Sequence, residues 1–293
     1  MRGRVRETLS ELALAVCLLS GLIPACGQDV GQADKEPNMS AQMLEQRIVA
    51  KDETAPALAA QLGAAAEPVL VRLARHSDPE VRELNVAAIR ETAVPQRVRL
   101  LIEALADRDI NVRSAALRAL SARADGASVP ALLEPAQRNA DPFVRGEVAL
   151  IIGRLGDMSA VAPLSGTLSV ERDGDVKRKL VLALARLGDT GARGTVKSAL
   201  ASSDPQARLD AVMDYEYVGD PKLLVDLRPA LADTAEVLNV NPPHARPNLI
   251  RLCDVAVNVI ANVAQLKLPF NGVERRRFEP SEIAEVARRV SAL

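Results

Sequence analysis

The residue types that could carry chemistry concentrate in the C-terminal part of the chain. Asp214 and Tyr217 lie three positions apart, and Arg251, Asp254 and Asn258 follow one another at spacings of three and four. Residues at these spacings share one face of a helix. On helices that are otherwise apolar, such side chains must find polar partners within the protein or in a ligand. These five residues form our candidate binding site, and an internal polar network is the alternative interpretation.

The sequence has few of the residues that usually carry out catalysis or bind metals. The chain has two histidines, His76 and His244, and three cysteines, of which Cys253 lies in an apolar stretch typical of a buried residue. There is no Trp, and the 37 basic and 38 acidic residues give no excess of positive charge. A site that stacks bases needs aromatic residues, and a site that neutralises phosphates needs an excess of positive charge. We therefore expect no metal, no cofactor and no nucleic acid, and the sequence favours a non-catalytic role.

The N-terminus has the pattern of an export signal. Arg2, Arg4 and Arg6 precede an uncharged apolar run over residues 12–25. The run is too short to span a membrane but has the length of the hydrophobic region of a secretory signal. The sequence therefore predicts a signal peptide over residues 1–25.

The end of this run, Ile23-Pro24-Ala25-Cys26-Gly27, resembles a bacterial lipobox. The resemblance implies that Cys26 is lipidated and that the protein is anchored in the bacterial cell envelope, facing the periplasm or the exterior. A secretory signal cleaved near Ala25 is one alternative, and a cytosolic adaptor with an uncleaved anchor is another. The polar residues 26–39 are predicted to form a flexible tether.

A repeated motif organises the middle of the chain. It consists of an Asp, then a Val or Ala three residues later, followed directly by Arg or Lys, and it recurs every 31–32 residues. Such an Asp is favoured as a helix N-cap, and the Gly of a later Leu-Gly-Asp or Val-Gly-Asp is favoured as the left-handed residue that ends a helix. The Asp and the Arg together are expected to form caps and ladders between repeats. The five copies begin at Asp78, Asp109, Asp141, Asp173 and Asp204.

The motif D-x-x-V-R-x-x-A-x-x-A-L…L-G-D resembles the HEAT-like repeats of the phycobilisome-lyase type. The resemblance implies an all-α fold, a right-handed α-solenoid of about six HEAT-like helical hairpins. We expect the repeat solenoid to span residues 40–233. A divergent final repeat and C-terminal cap are expected over residues 234–293, with a first helix over residues 249–263.

The catalytic residues of enzymes with related repeats have few counterparts in this sequence. The di-iron hydroxylase branch needs His-Glu pairs, whereas His76 precedes Ser and His244 precedes Ala. The DNA glycosylase branch uses aromatic residues, Trp included, and a basic channel. A lyase-like or enzyme-like protein that binds a small ligand at the C-terminal polar residues remains the alternative function.

A binding scaffold is the function that these features favour. We expect an exported, lipid-anchored, non-catalytic protein that binds a protein or peptide partner. The predicted contact surface is a curved face lined by the second helix of each hairpin, where both charges occur. Its charged residues are Arg72, Arg75, Arg97, Glu103, Lys197, Asp226 and Arg228.

Overall fold

The computed structural model describes residues 35–239 and 249–293. Within those ranges the fold is all-α apart from one two-stranded ribbon, as predicted. The predicted signal peptide and Cys26 lie outside the described residues, and the first helix begins at Lys35, inside the predicted tether. The helices are α1 (Lys35–Val49), α2 (Ala55–Leu62), α3 (Glu67–Leu73), α4 (Pro79–Glu91), α5 (Arg97–Ala104), α6 (Ile110–Arg123), α7 (Val129–Arg138), α8 (Pro142–Leu155), α9 (Val161–Val170), α10 (Gly174–Arg186), α11 (Thr190–Ala199), α12 (Pro205–Val218), α13 (Leu252–Val263) and α14 (Pro280–Val290).

Helices α2 to α12 form six consecutive hairpins, the number that the sequence predicts. Five of them pair two α-helices, from α2–α3 to α10–α11. In the sixth, α12 is followed by 3₁₀ turns at Pro221–Leu227 and Pro229–Ala232 in place of a second α-helix. Helix α1 packs against α2 and α3. None of the helices in the described ranges combines the length and the apolar character that a membrane span requires.

The repeated motif performs the local roles predicted for it. Each of the five Asp residues caps a helix, and its side chain accepts a hydrogen bond from the backbone N–H two residues later. Gly156, Gly188 and Gly219 adopt φ angles of 75°, 94° and 67°. Left-handed conformations at these positions end the first helix of a hairpin at little cost only if the residue is Gly.

The Arg of the motif forms a ladder between repeats, also as predicted. Arg82 donates to both carboxylate oxygens of Asp107, over 2.7 and 2.8 Å, and Arg145 binds Glu171 in the same bidentate way. The hydrogen bond from Arg145, reinforced by backbone N–H groups, lowers the pKa of Glu171 to about 2. Arg113 with Asp141 and Arg208 with Asp233 continue the ladder.

The first helices of the hairpins form the more closely spaced layer. α2 packs on α4, α4 on α6 and α8 on α10, whereas contacts between second helices are sparser. Gly146 and Gly153 allow the closest approach, because a Cβ at either position would overlap Lys179 or Ala183 of α10. Together the first helices form a surface along the array, which we call the first-helix face. The predicted partner surface, a curved face lined by the second helices, stays a prediction.

The final segment departs from the helical pattern. Strand β1 (Glu236–Asn239) pairs antiparallel with strand β2 (Leu249–Arg251), and α13 begins only at Leu252. The first residues of the helix predicted over 249–263 thus belong to a strand. Ile250 and the Cys253 that follows the strand are both buried, so this ribbon anchors the start of α13 in the core.

Candidate functional site

The five predicted site residues lie on or next to α12 and α13, two helices that pack against each other. Asp214 and Tyr217 come from α12, whereas Arg251 immediately precedes α13 and Asp254 and Asn258 lie within it. Their side chains bind to different parts of the protein, which the following paragraphs describe in turn.

Asp214 is a buried carboxylate on α12. It is 9% exposed, and its Oδ1 accepts a hydrogen bond of 2.5 Å from Nη2 of Arg178 on α10. Burial raises the pKa of Asp214 to about 6, although the positive charge of Arg178 opposes the rise. Asp210, one turn earlier and exposed, adds a smaller upward contribution to the pKa.

Tyr217 reaches across α10 to α8. Its hydroxyl donates to the carbonyl oxygen of Leu150 over 2.6 Å, and the guanidinium carbons of Arg186 and Arg154 lie 5.5 and 6.0 Å from the ring centre. Burial raises the pKa of Tyr217 well above its ordinary value, so the phenol is neutral at physiological pH. Tyr217 therefore acts as a hydrogen-bond donor inside the protein.

Arg251 and Asp254 form a latch between α13 and the chain segment before α14. The fully buried Asp254 accepts hydrogen bonds from Nε and Nη2 of Arg251, over 3.0 and 2.8 Å, and from the Phe278 N–H over 2.9 Å. Arg251 also donates to the carbonyl oxygen of Phe278. Burial alone would raise the pKa of Asp254, but these hydrogen bonds hold the pKa below its ordinary value. Both residues thus act as an internal polar network.

Asn258 lines a cleft. Its Nδ2 donates to the carbonyl oxygens of Gly272 and Glu274, over 2.8 and 2.9 Å. The cleft of about 260 Å³ lies between α12, the β-ribbon, α13 and the segment after it. Apolar side chains dominate its walls, and Asn262 bonds to Glu216 at its edge.

A larger groove, which sequence reasoning missed, lies on the first-helix face between α6 and α8. Its volume is about 450 Å³, and Leu117 and Ile151 form an apolar floor. Arg118 and Arg154 stand at its edges. The guanidinium of Arg154 donates to the hydroxyl of Ser121 over 3.0 Å, so its partner is an uncharged group.

Phe143 marks this groove and is a departure from the repeat pattern. It is 48% exposed and follows the N-cap Asp141 by two positions, with the ammonium of Lys179 5.2 Å from its ring centre. The equivalent positions in the other repeats hold polar residues: Glu80, Asn111, Asp175 and Gln206. Alignment of the repeats by their Asp would have singled out this exposed aromatic residue.

No metal centre is built by the residues that the structure describes, since no three His, Cys, Asp or Glu side chains converge there. His76 instead accepts a hydrogen bond from the Asp78 N–H over 3.1 Å, which places it in a helix-capping turn. His244 lies outside the described residues.

A comparison with protein-family models agrees with the repeat pattern. A family model of HEAT repeats matches residues 98–185, which run from α5 to the end of α10. A solved structure, the complex of CpcE and CpcF of phycocyanin lyase from Nostoc sp. PCC7120, matches with 16% sequence identity and a TM-score of 0.44. That match covers 85% of this chain and 94% of the other. No curated protein matches the sequence.

Proposed function

We propose that this HEAT-like repeat protein is a non-catalytic scaffold whose first-helix face binds an acidic segment of a partner protein. The groove between α6 and α8 carries the proposal. An apolar floor bordered by guanidinium groups suits a segment that offers both an apolar side chain and a carboxylate.

The charges around the groove favour an acidic partner. Glu147 is already bound by Lys179, whose ammonium lies 3.1 Å from its carboxylate. Arg118 lies 3.8 Å from Glu83, and both side chains are largely exposed, so this pair contributes little. Arg154 contacts a hydroxyl. Two guanidiniums thus remain able to bind a carboxylate bidentately.

Site-specific photo-crosslinking in the native host tests this proposal. A photoreactive residue at Ser121, in the groove, is expected to capture a partner, and one at Ser198 on α11 is the matched control. Both are exposed serines, but Ser198 lies on a second helix. The double charge reversal Arg118→Glu with Arg154→Glu should abolish the crosslink without unfolding the protein, because both residues are exposed. Equal capture at Ser198, or a crosslink that survives charge reversal, contradicts the proposal.

The proposed location is the bacterial envelope, with the solenoid tethered through lipid on Cys26. The support is the sequence pattern: a basic start, a short apolar run and a lipobox-like ending. The mass of the N-terminal peptide from native membranes tests it. A diacylated or triacylated Cys26 as first residue is expected. A chain that keeps Met1 or an unmodified Cys26 would contradict export by this route.

A second candidate is a small-ligand protein that uses the cleft beside Asn258, because apolar side chains form most of the cleft's walls. Thermal melting with a ligand library tests it. A saturable rise in melting temperature, abolished by filling the cleft with Met213→Trp, is expected for this function. The scaffold predicts no such rise.

A further inference from the structure

The cleft beside Asn258 occupies the same place in the repeat frame as the groove between α6 and α8. In the groove, α6 contributes Arg118 and Ser121, which lie 9 and 12 positions after the Asp of their repeat. In the cleft, α12 contributes Met213 and Glu216, which lie at the same 9 and 12 positions. Equivalent positions of stacked repeats form rows along the array. Groove and cleft therefore both open on the first-helix face.

The next helix of the layer closes each site in the same way. Arg154 of α8 donates to the hydroxyl of Ser121, and Nδ2 of Asn262 on α13 donates to the carboxylate of Glu216 over 2.8 Å. Both acceptors lie 12 positions after the Asp of their repeat. Because α13 also packs directly on α12, it takes the place that the first helix of a seventh hairpin would occupy.

The distance between the two sites suits a short peptide. The layer runs from α6 through α8, α10 and α12 to α13, so the centres of groove and cleft are three helix spacings apart. At about 8–10 Å per spacing, the separation is about 24–30 Å. An extended peptide covers this distance with about eight residues, because each residue adds up to about 3.3–3.6 Å.

The surface between the sites has two guanidiniums with uncharged partners. Arg154 and Arg186 each lie 13 positions after the Asp of their repeat, and both lie near the ring of Tyr217. Arg154 donates to the hydroxyl of Ser121, and Arg186 donates to the backbone carbonyl of Tyr217. Two positive charges on either side of one ring repel each other, so a carboxylate that binds both would be favourable.

The cleft itself offers apolar contacts that a partner can reach. Met213 and Val273 line it, and they are 39% and 56% exposed. Glu216 is also exposed at the cleft, and its partner Asn262 is neutral. The negative charge of Glu216 disfavours an acidic side chain here. The cleft therefore suits an apolar side chain.

We propose that one extended segment of the partner protein occupies the groove and the cleft together. One of its apolar side chains packs on Phe143 in the groove. A second, about eight residues away, packs on Met213 and Val273 in the cleft. A carboxylate between these two side chains binds Arg154 and Arg186. This inference rests on the proposed function, because it extends the same acidic segment along the same face.

Photo-crosslinking tests the inference when a photoreactive residue is placed at Val273 in addition to the one at Ser121. The control is Val225, another exposed valine, on the 3₁₀ turn after α12. Mass spectrometry of the crosslinked peptides should place the contacts from Ser121 and Val273 in one segment of one protein, about eight residues apart.

The outcomes separate this inference from the proposed function. Capture at Ser121 but not at Val273 overturns the inference and leaves the proposed function intact. The same holds for contacts in different proteins, for contacts more than about 12 residues apart, and for equal capture at Val225. No capture at Ser121 contradicts both.

A synthetic peptide of the mapped segment measures what the cleft contributes to affinity. Filling the cleft with Met213→Trp should weaken binding by at least about 100-fold, because the two linked contacts reinforce each other. Val225→Trp, outside the cleft, should leave the affinity unchanged. A shortened peptide without the second apolar side chain should bind wild type and Met213→Trp alike, which shows that the variant is folded. Equal affinity of the full peptide for wild type and Met213→Trp, measured by fluorescence anisotropy, overturns the inference.

Discussion

The hydroxyl of Tyr217 donates to the backbone carbonyl of Leu150, 67 residues earlier in the chain and two hairpins away. Solenoid repeats ordinarily contact only their neighbours. Here the ring lies over α10, where Gly153 and Ala183 bring α8 and α10 so close that the side chain can pass across them. This one side chain therefore couples hairpins four and six directly.

Tyr217→Phe tests the strength of that coupling. Removing the hydroxyl deletes a short buried hydrogen bond and should lower the free energy of unfolding by about 0.5–1.5 kcal/mol. The matched control is Tyr215→Phe, since the Tyr215 hydroxyl makes a longer contact of 3.3 Å with Asp226, which Lys197 also binds. Urea denaturation measures both. An equal or larger loss for Tyr215→Phe would contradict the coupling by Tyr217.

Gly153→Ala should destabilise the protein even though it replaces a helical glycine. A Cβ at this position would lie 2.8 Å from Cα of Ala183 and closer still to the Tyr217 hydroxyl. Such overpacking costs about 1–3 kcal/mol, which outweighs the gain of up to about 1 kcal/mol from better helix propensity.

Gly166→Ala is the control for that substitution. Gly166 lies in α9, is exposed, and a Cβ there would meet no atom within 4 Å. The same chemical change should therefore raise the free energy of unfolding by up to about 1 kcal/mol. We expect thermal or urea denaturation to show that the two substitutions change the free energy of unfolding in opposite directions. A stabilising Gly153→Ala would refute the close packing of α8 on α10.

Asp214 should make the native state less stable as the pH rises. Its folded pKa of about 6 exceeds the unfolded value of about 3.8, so the protonated carboxyl favours folding. That contribution is complete below about pH 3.8 and is lost as the pH rises through about 6. Asp214→Asn should therefore gain on the order of 2 kcal/mol relative to wild type between pH 4 and pH 7.

Urea denaturation across this pH range measures the difference in the free energy of unfolding between the variant and wild type, and this difference is the test. Carboxylates with lowered pKa values, such as Glu171, change stability in the opposite direction but contribute equally to both proteins. Arg178 is 46% exposed and tolerates the loss of its partner's charge. A difference that stays constant from pH 4 to pH 7 would refute the burial of Asp214.

The repeat fold follows from the sequence because its signals are local. An N-cap Asp such as Asp109 and a left-handed Gly such as Gly156 act within one turn of helix, and the period then fixes how hairpins stack. The spacing between hairpins does not follow from these local signals, since it depends on how closely helices of different repeats approach. That distance is set by pairs such as Gly153 and Ala183, which lie far apart in sequence.

In the candidate site, too, the sequence predicts local features but not the contacts between distant residues. The sequence singled out Asp214 and Asp254 correctly as polar residues at core positions, and both are buried. Their partners, Arg178 and the Phe278 backbone, come from other elements. No spacing in the sequence predicts these contacts. Phe143 carries a signal of the same kind, a departure from the aligned repeats, that was overlooked.

Asp254→Ala should release the C-terminal segment. The substitution leaves the guanidinium of Arg251 without its carboxylate and the Phe278 N–H without an acceptor, in a region where both are largely buried. Breaking such a pair from one side costs about 3–5 kcal/mol. Hydrogen exchange should accelerate at Phe278 and along α14. Glu285→Ala, which removes the pairs with Arg288 and Arg289 on the same helix, should have little effect on stability, because water screens such exposed pairs. If the two variants exchange alike over α14, the latch formed by Arg251 and Asp254 does not hold this helix in place.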